Sequence, residues 1–388
     1  MADAALSAGD RRWSLAAVIA AIAVFGLGIG LTAPLLSLHL EAHGTDATLN
    51  GLNAAVTFVG VIIGAQLTPW WVRRLGLRRF MLACLAIDAC QFFLLKIFDD
   101  VYVWFPLRLM LGIVGSSLFT ASEAWISAIA GDETRGRVIG IYAAVLSAGF
   151  AVGPLLLSLT GIEGWAPYIL NAVISGIAAI PVLRAGGLAP TFEAATRFGT
   201  VTFIRRAPLI AFAVALFGVF ETATLSLMPV WGVRVGLSQS LAAASVTAVY
   251  FGAIALQVPI GWLSDHVRRI KVLQICAGVS VIGGALLPAL GGRPAAIMAV
   301  LFIWGGITNG IYAISLSMVG DRFRGPDLVA ANAALIVTYG FGSLVGPALG
   351  GVAMDLWNPH GMTAAIALVF ALFLAASVFV ARRKDAAP

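Results

Sequence analysis

Few residues in this chain carry chemistry, and several that do lie inside long apolar runs. Glu221 stands midway along one of them, 208–233. A carboxylic acid shut off from bulk water can load a proton and release it as water access changes sides. The alternative is a packing carboxylate hydrogen-bonded to a neighbouring segment. Arg108, in the run 101–130, stays charged at any accessible pH, so it can hold an anionic group or tune a nearby carboxylate. Asp88, inside 80–98, is a charge at depth that needs a partner or a function, and Arg108 on the next run is a candidate counter-charge. Glu123 lies toward the end of 101–130, within reach of Arg135 and the loop arginines. A gate salt bridge is expected there, with substrate or proton binding as the alternative. Lys96, two residues from the end of its run, can extend its ammonium outward and is structural.

The segments that must hold these groups follow from composition. The 388 residues are 60% hydrophobic and 11% charged, against about 45–50% and 25% in soluble domains. Soluble enzymes, secreted disulfide scaffolds and disordered tails are excluded, and Cys84, Cys90 and Cys276 all sit in apolar runs. A helix crosses the hydrocarbon in about 20 residues. Twelve runs qualify: 14–38, 49–72, 80–98, 101–130, 138–161, 166–184, 208–233, 241–263, 272–290, 295–319, 328–353 and 362–381. The chain is expected to be an all-α, multi-pass membrane protein. Its first run is too long for a signal peptide and should remain as the first helix. If the chain starts inside and crosses twelve times, all of its 24 basic residues except Lys96, Arg108, Arg234 and Arg293 fall on the cytoplasmic side. That bias accounts for the net charge of +6 and predicts both termini in the cytoplasm of a bacterial inner membrane. Basic residues confined to short loops offer no groove for nucleic acid.

The chain also repeats itself. Gly131-Asp132-Glu133-Thr134-Arg135-Gly136 matches Gly320-Asp321-Arg322-Phe323-Arg324-Gly325, about 190 residues later. Gly149, Gly153 and Pro154 in the fifth run match Gly342, Gly346 and Pro347 in the eleventh, and Phe25-Gly26 matches Phe217-Gly218. Two six-helix bundles are therefore expected, 1–183 and 208–388, joined by a cytoplasmic linker over 184–207. In transporters built this way the binding site lies between repeats near mid-membrane.

These patterns resemble the major facilitator superfamily across essentially the whole chain. Gly261-Trp262-Leu263-Ser264-Asp265-His266-Val267-Arg268-Arg269 is similar to the family's G-x-x-x-D-R-x-x-R-R loop, with His266 for the first basic residue. The matching first-half loop keeps Arg74, Gly76, Arg78 and Arg79 but has Arg73 where the family usually has aspartate. Arg108 through Gly112 resembles the R-x-x-Q-G segment, with Leu111 for glutamine. Gly140, Gly149, Gly153 and Pro154 are spaced as in the family's antiporter segment, although Leu157 replaces its later glycine. The eleventh run has the complete form, Gly342 to Gly351.

The resemblance implies a pseudo-symmetric twelve-helix fold whose fourth and seventh helices line the cavity. Arg108, Glu123 and Glu221 would then be cavity residues, joined by Trp125, Gln257, Trp304, Asn309 and Tyr312. Glu221 would couple the proton. Arg73, Arg74, Arg78, Arg79, Arg135, Asp265, Arg268, Arg269 and Arg324 would form a cytoplasmic gate, unless they serve topology alone. Gly149, Gly153, Pro154, Gly342, Gly346 and Pro347 are expected to pack helices closely, or to be where each half bends.

Several absences also decide something. The sequence has no G-x-x-x-x-G-K-[ST] loop for ATP, and no H-E-x-x-H pattern or Cys/His cluster for zinc. No cofactor or metal is expected, and no enzymatic activity. The leading expectation is a monomeric, proton-coupled secondary transporter exporting a small amphipathic metabolite or drug, with protons, substrate and membrane lipids as partners. The alternatives are a proton-coupled uptake symporter for a sugar or organic acid, and a lysolipid translocase.

Overall fold

The computed structural model describes residues 8–129, 135–185, 200–291 and 293–385, and these contain no strand. In chain order the helices are α1 (Ala8–Ala42), α2 (Ala47–Leu75), α3 (Leu77–Ile97), α4 (Val101–Ile129), α5 (Arg135–Thr160), α6 (Ala166–Arg184) and α7 (Thr200–Arg206). After them come α8 (Pro208–Arg234), α9 (Gln239–His266), α10 (Arg269–Leu286), α11 (Pro294–Arg322), α12 (Gly325–Leu356) and α13 (Gly361–Asp385). Twelve are long and apolar enough to cross a membrane. The exception is α7, which covers the described end of the expected linker; residues 186–199 lie outside the described residues.

Local chemistry sets where helices stop. Only Gly76 separates α2 from α3, and it adopts φ 79°, a left-handed conformation that a side chain resists. The Ser238 hydroxyl caps α9 by accepting from Leu241 N at 3.3 Å. Pro208 and Pro294 open α8 and α11, where a missing N–H costs nothing.

Two compact units emerge, one from Met1–Leu35 with Val56–Glu193, the other from Leu36–Ala55 with Ala194–Pro388. The tip formed by the end of α1 and the start of α2, placed by the repeat in the first bundle, thus belongs to the second unit. The first unit has a core of Ile22, Phe80, Met81, Leu85, Leu118 and Trp125. In the second, Phe203 on α7 packs with Val214, Val319, Phe323 and Leu335, which holds this short helix on the bundle.

Within each unit the same glycine contacts recur. Gly149 and Gly153 of α5 meet the backbone of α1 at Gly26 and Gly30; Gly342 and Gly346 of α12 meet α8 at Ala215 and Val219. Gly60 and Gly112 bring α2 against α4, and Gly252 and Gly305 do the same for α9 and α11. At each of these positions a methyl group would strike a neighbouring helix. Lipid supplies no hydrophobic drive between helices, so close backbone approach supplies the dispersion contact instead.

Candidate functional site

The second unit builds a carboxylate–tyrosine cluster around Glu221. Its position follows from the glycine seam: Gly218 lies against Tyr339 O and Ser343 N, and Gly342 against Ala215 O. The Thr222 hydroxyl is shared between Gly218 O at 2.8 Å and Ser343 O at 3.0 Å. With α8 and α12 so close, the Tyr339 hydroxyl donates to Glu221 Oε2 at 2.5 Å. The buried hydroxyl of Tyr250, from α9, lies beside this carboxyl group. Phe217, Tyr312 and Tyr339 form an aromatic wall, with ring centroids 5.6 Å (Phe217 to Tyr312), 5.9 Å (Phe217 to Tyr339) and 6.0 Å (Tyr312 to Tyr339) apart. A tyrosine hydroxyl can donate to a carboxylate or accept from a carboxylic acid. The cluster can therefore hold Glu221 in either protonation state, which an arginine partner would not do.

In the first unit the expected Asp88–Arg108 pairing does not form. The Asp88 carboxylate instead accepts from Ser175 Oγ on α6 at 2.6 Å and from Gln91 Nε2 at 3.2 Å. The serine faces it directly, and each carboxylate oxygen has a donor without a cation. Arg108 is 3% exposed, and its Nε and Nη2 find no acceptor among the described residues. Lys96 lies 5.8 Å from the Tyr168 ring, a structural contact. Glu123 is exposed on α4, and the side chain of Arg135, its expected partner, lies outside the described residues.

The other expected cavity residues divide. Tyr312 joins the Glu221 cluster. Gln257 is exposed on α9, and Asn309 bonds back to Gly305 O in its own helix at 2.8 Å. Trp125 and Trp304 are each 1% exposed. Trp304 donates to Ser280 O at 3.0 Å and packs edge-on to Phe220, and Trp125 belongs to the core of the first unit. Both are core residues because a ring of that size, once enclosed, fills the space that a cavity would need.

Several of the expected gate arginines bond to carbonyls in the last two turns of helices. Arg78 donates to Leu183 O at the end of α6, Arg324 to Gly320 O at 2.9 Å, and Arg269 to Ser317 O at 3.0 Å. Cations at the carbonyl ends of helices also match the macrodipole. Arg269 is further paired with Asp321 of α11. Arg74 lies 4.3 Å over the Trp70 ring, while Arg73 and Arg79 are exposed. Asp265 and Arg268 line an open groove with His266, Asp321 and Arg322.

Sequence reasoning passed over one charged cluster, formed by Glu41, Arg234 and Asp355 at the ends of α1, α8 and α12. A signal was available: Arg234 is one of four basic residues outside the cytoplasmic set, and it closes a run that carries a single acidic residue.

A model of the Major Facilitator Superfamily matches residues 18–246 and again 210–388, between them nearly the whole chain. The chain belongs to the major facilitator superfamily. Among its superfamily relatives, the MFS-type transporter YfkF of Bacillus subtilis (strain 168) is 27% identical over 364 residues, which cover 89% of this chain and 90% of that protein. The MFS-type transporter YcaD of Escherichia coli O7:K1 (strain IAI39 / ExPEC) is 23% identical over 359 residues, 92% of this chain and 93% of that protein. Two solved superfamily structures share the fold. The nucleoside transporter NupG has a TM-score of 0.78 at 15% identity, covering 97% of this chain and all of that one (100%). A bacterial homolog of the human lysosomal transporter Spinster, inward-facing and unoccupied, has a TM-score of 0.70 at 15% identity, covering 96% of this chain and 95% of its own. The twelve-helix major facilitator architecture expected from the resemblance is therefore the one observed.

Proposed function

We propose that this major facilitator superfamily chain is a proton-coupled secondary transporter that exports a small amphipathic metabolite or drug in exchange for protons. It would act as a monomer in a bacterial inner membrane with both termini in the cytoplasm. Two six-helix halves, 1–183 and 208–388 about a linker at 184–207, would rock in turn to expose the site. The observation that carries the reading is Glu221 bonded by the Tyr339 hydroxyl, with Tyr250 beside it and no basic residue among its partners in the described residues. Such a carboxyl can exchange its proton without breaking an ion pair. The antiporter-like segments of α5 and α12 favour export.

The test uses inside-out vesicles energised to an acid interior, with drugs, sugars and organic acids added singly and lumenal pH followed by a quenched dye. Alkalinisation by one compound, lost in Glu221→Gln, is the expected result. No response to any compound, in vesicles holding folded protein, would count against proton-driven export.

A second reading rests on Arg108. A buried guanidinium with two unmet donors favours a substrate that carries a carboxylate or another anionic group, taken up by symport. Accumulation of an organic acid in energised cells, lost in Arg108→Gln, would favour uptake over export.

A further inference from the structure

The α1–α2 tip, which the repeat assigns to the first half, is built into the second unit by a compact polar plug. Helix α2 begins with free backbone N–H groups that need acceptors. Asp46 takes one, accepting from Leu49 N at 2.6 Å. The next two are taken by Asp355, at the far end of α12, which accepts from Ala47 N at 3.1 Å and Thr48 N at 2.7 Å. The Thr48 hydroxyl adds a third bond to the same carboxylate at 2.6 Å. A carboxylate aimed at a helix N-terminus also gains from the macrodipole.

Beside it, Arg234 grips Glu41 with both prongs, Nε to Oε1 at 2.7 Å and Nη2 to Oε2 at 2.8 Å. Its remaining nitrogen, Nη1, reaches Asn358 Oδ1 at 3.2 Å and lies 4.0 Å from Asp355. The Arg234 and Glu41 side chains are only 16% and 17% exposed. Against the plug the contact is bare backbone: Gly51 lies against Pro347 O, and Gly351 against Ala47 O. Polar bonds that water can replace and two glycine contacts that can slide therefore join the tip to α8 and α12, beside the buried Leu36, Leu38 and Leu40.

We propose that this plug is a detachable latch, with Asp355 and Arg234 as positioning residues, and that parting of the α1–α2 tip from α8 and α12 is the step that opens the external face. The inference rests on the alternating-access reading above. It assigns the work of holding that face shut to a trans-acting helix cap and one forked ion pair.

The test places a single cysteine at Ser37, which is 0% exposed on the tip, after replacing Cys84, Cys90 and Cys276. A membrane-impermeant methanethiosulfonate is added to intact cells and the labelling rate is followed. Asp355→Asn and Arg234→Gln should each speed labelling roughly tenfold or more. The charge-swapped pair Glu41→Arg with Arg234→Glu should bring it back toward the parent rate. A second measurement keeps the tip in place: Thr48→Cys with Asp355→Cys, joined by a short bis-methanethiosulfonate, should stop transport until the link is reduced. Unchanged labelling in both single variants, or full transport through a quantitatively linked tip, would overturn the latch. Labelling reads opening whether or not protons are coupled, so failure of the proton-antiport reading shows separately as absent lumenal alkalinisation.

Discussion

Arg108→Met should stabilise the substrate-free protein while it impairs transport. Arg108 is 3% exposed, and both Nε and Nη2 lack acceptors among the described residues. Each unmet buried donor costs about 1–3 kcal/mol. A guanidinium at membrane depth costs roughly 2.5–3.5 kcal/mol on insertion scales. These figures describe overlapping costs, so the net gain on removal is about 2–3 kcal/mol, with methionine replacing most of the apolar stem. Thermal unfolding of the purified protein in detergent, followed by tryptophan fluorescence, should show the apparent midpoint rising by several degrees. Arg108→Lys keeps the charge and should show no such gain. A counter-charge hidden near Arg108 would reverse the sign, because breaking a buried ion pair typically costs about 3–5 kcal/mol. A fall of that size in Arg108→Met would refute the claim that this arginine is held for a ligand or a transient partner.

Other substitutions probe the remaining elements. Tyr339→Phe removes the 2.5 Å bond to Glu221 and should alter the pH profile of transport, read from vesicle assays at stepped pH, while costing about 1–3 kcal/mol of thermal stability. Gly342→Val drives a side chain into Ala215 O and should cost about 1–3 kcal/mol or more; a melting midpoint equal to the parent's would contradict the seam. A double-mutant cycle on Glu41 and Arg234, scored by thermal stability, should give a coupling of about 1–2 kcal/mol. That value lies above an exposed pair, and a coupling near zero would show the fork to be incidental.

Much of the fold was legible in the one-dimensional pattern. Apolar runs of membrane-crossing length mark helices because every backbone polar group in lipid must be satisfied within its own segment. The repeat of Gly26, Gly149 and Gly153 in Gly218, Gly342 and Gly346 announced the paired architecture, since a glycine where two backbones touch cannot be exchanged without separating them. Glu221 stood out by depth alone. Its tyrosine neighbours did not, because Tyr250 and Tyr339 lie on other helices at spacings that no local periodicity reveals.

Composition and periodicity by themselves determined the number of spans, the internal repeat and the short list of buried charges. Tertiary structure alone decided the pairings. It gave Asp88 to Ser175 rather than Arg108, buried Trp125 and Trp304 in cores, and joined Thr48 to Asp355 and Glu41 to Arg234. The reason is physical. Burial in lipid depends on each segment's own apolar content and is written locally. Which donor meets which acceptor depends on how helices far apart in sequence rotate and approach, and a few ångströms there separate a bond from an orphan.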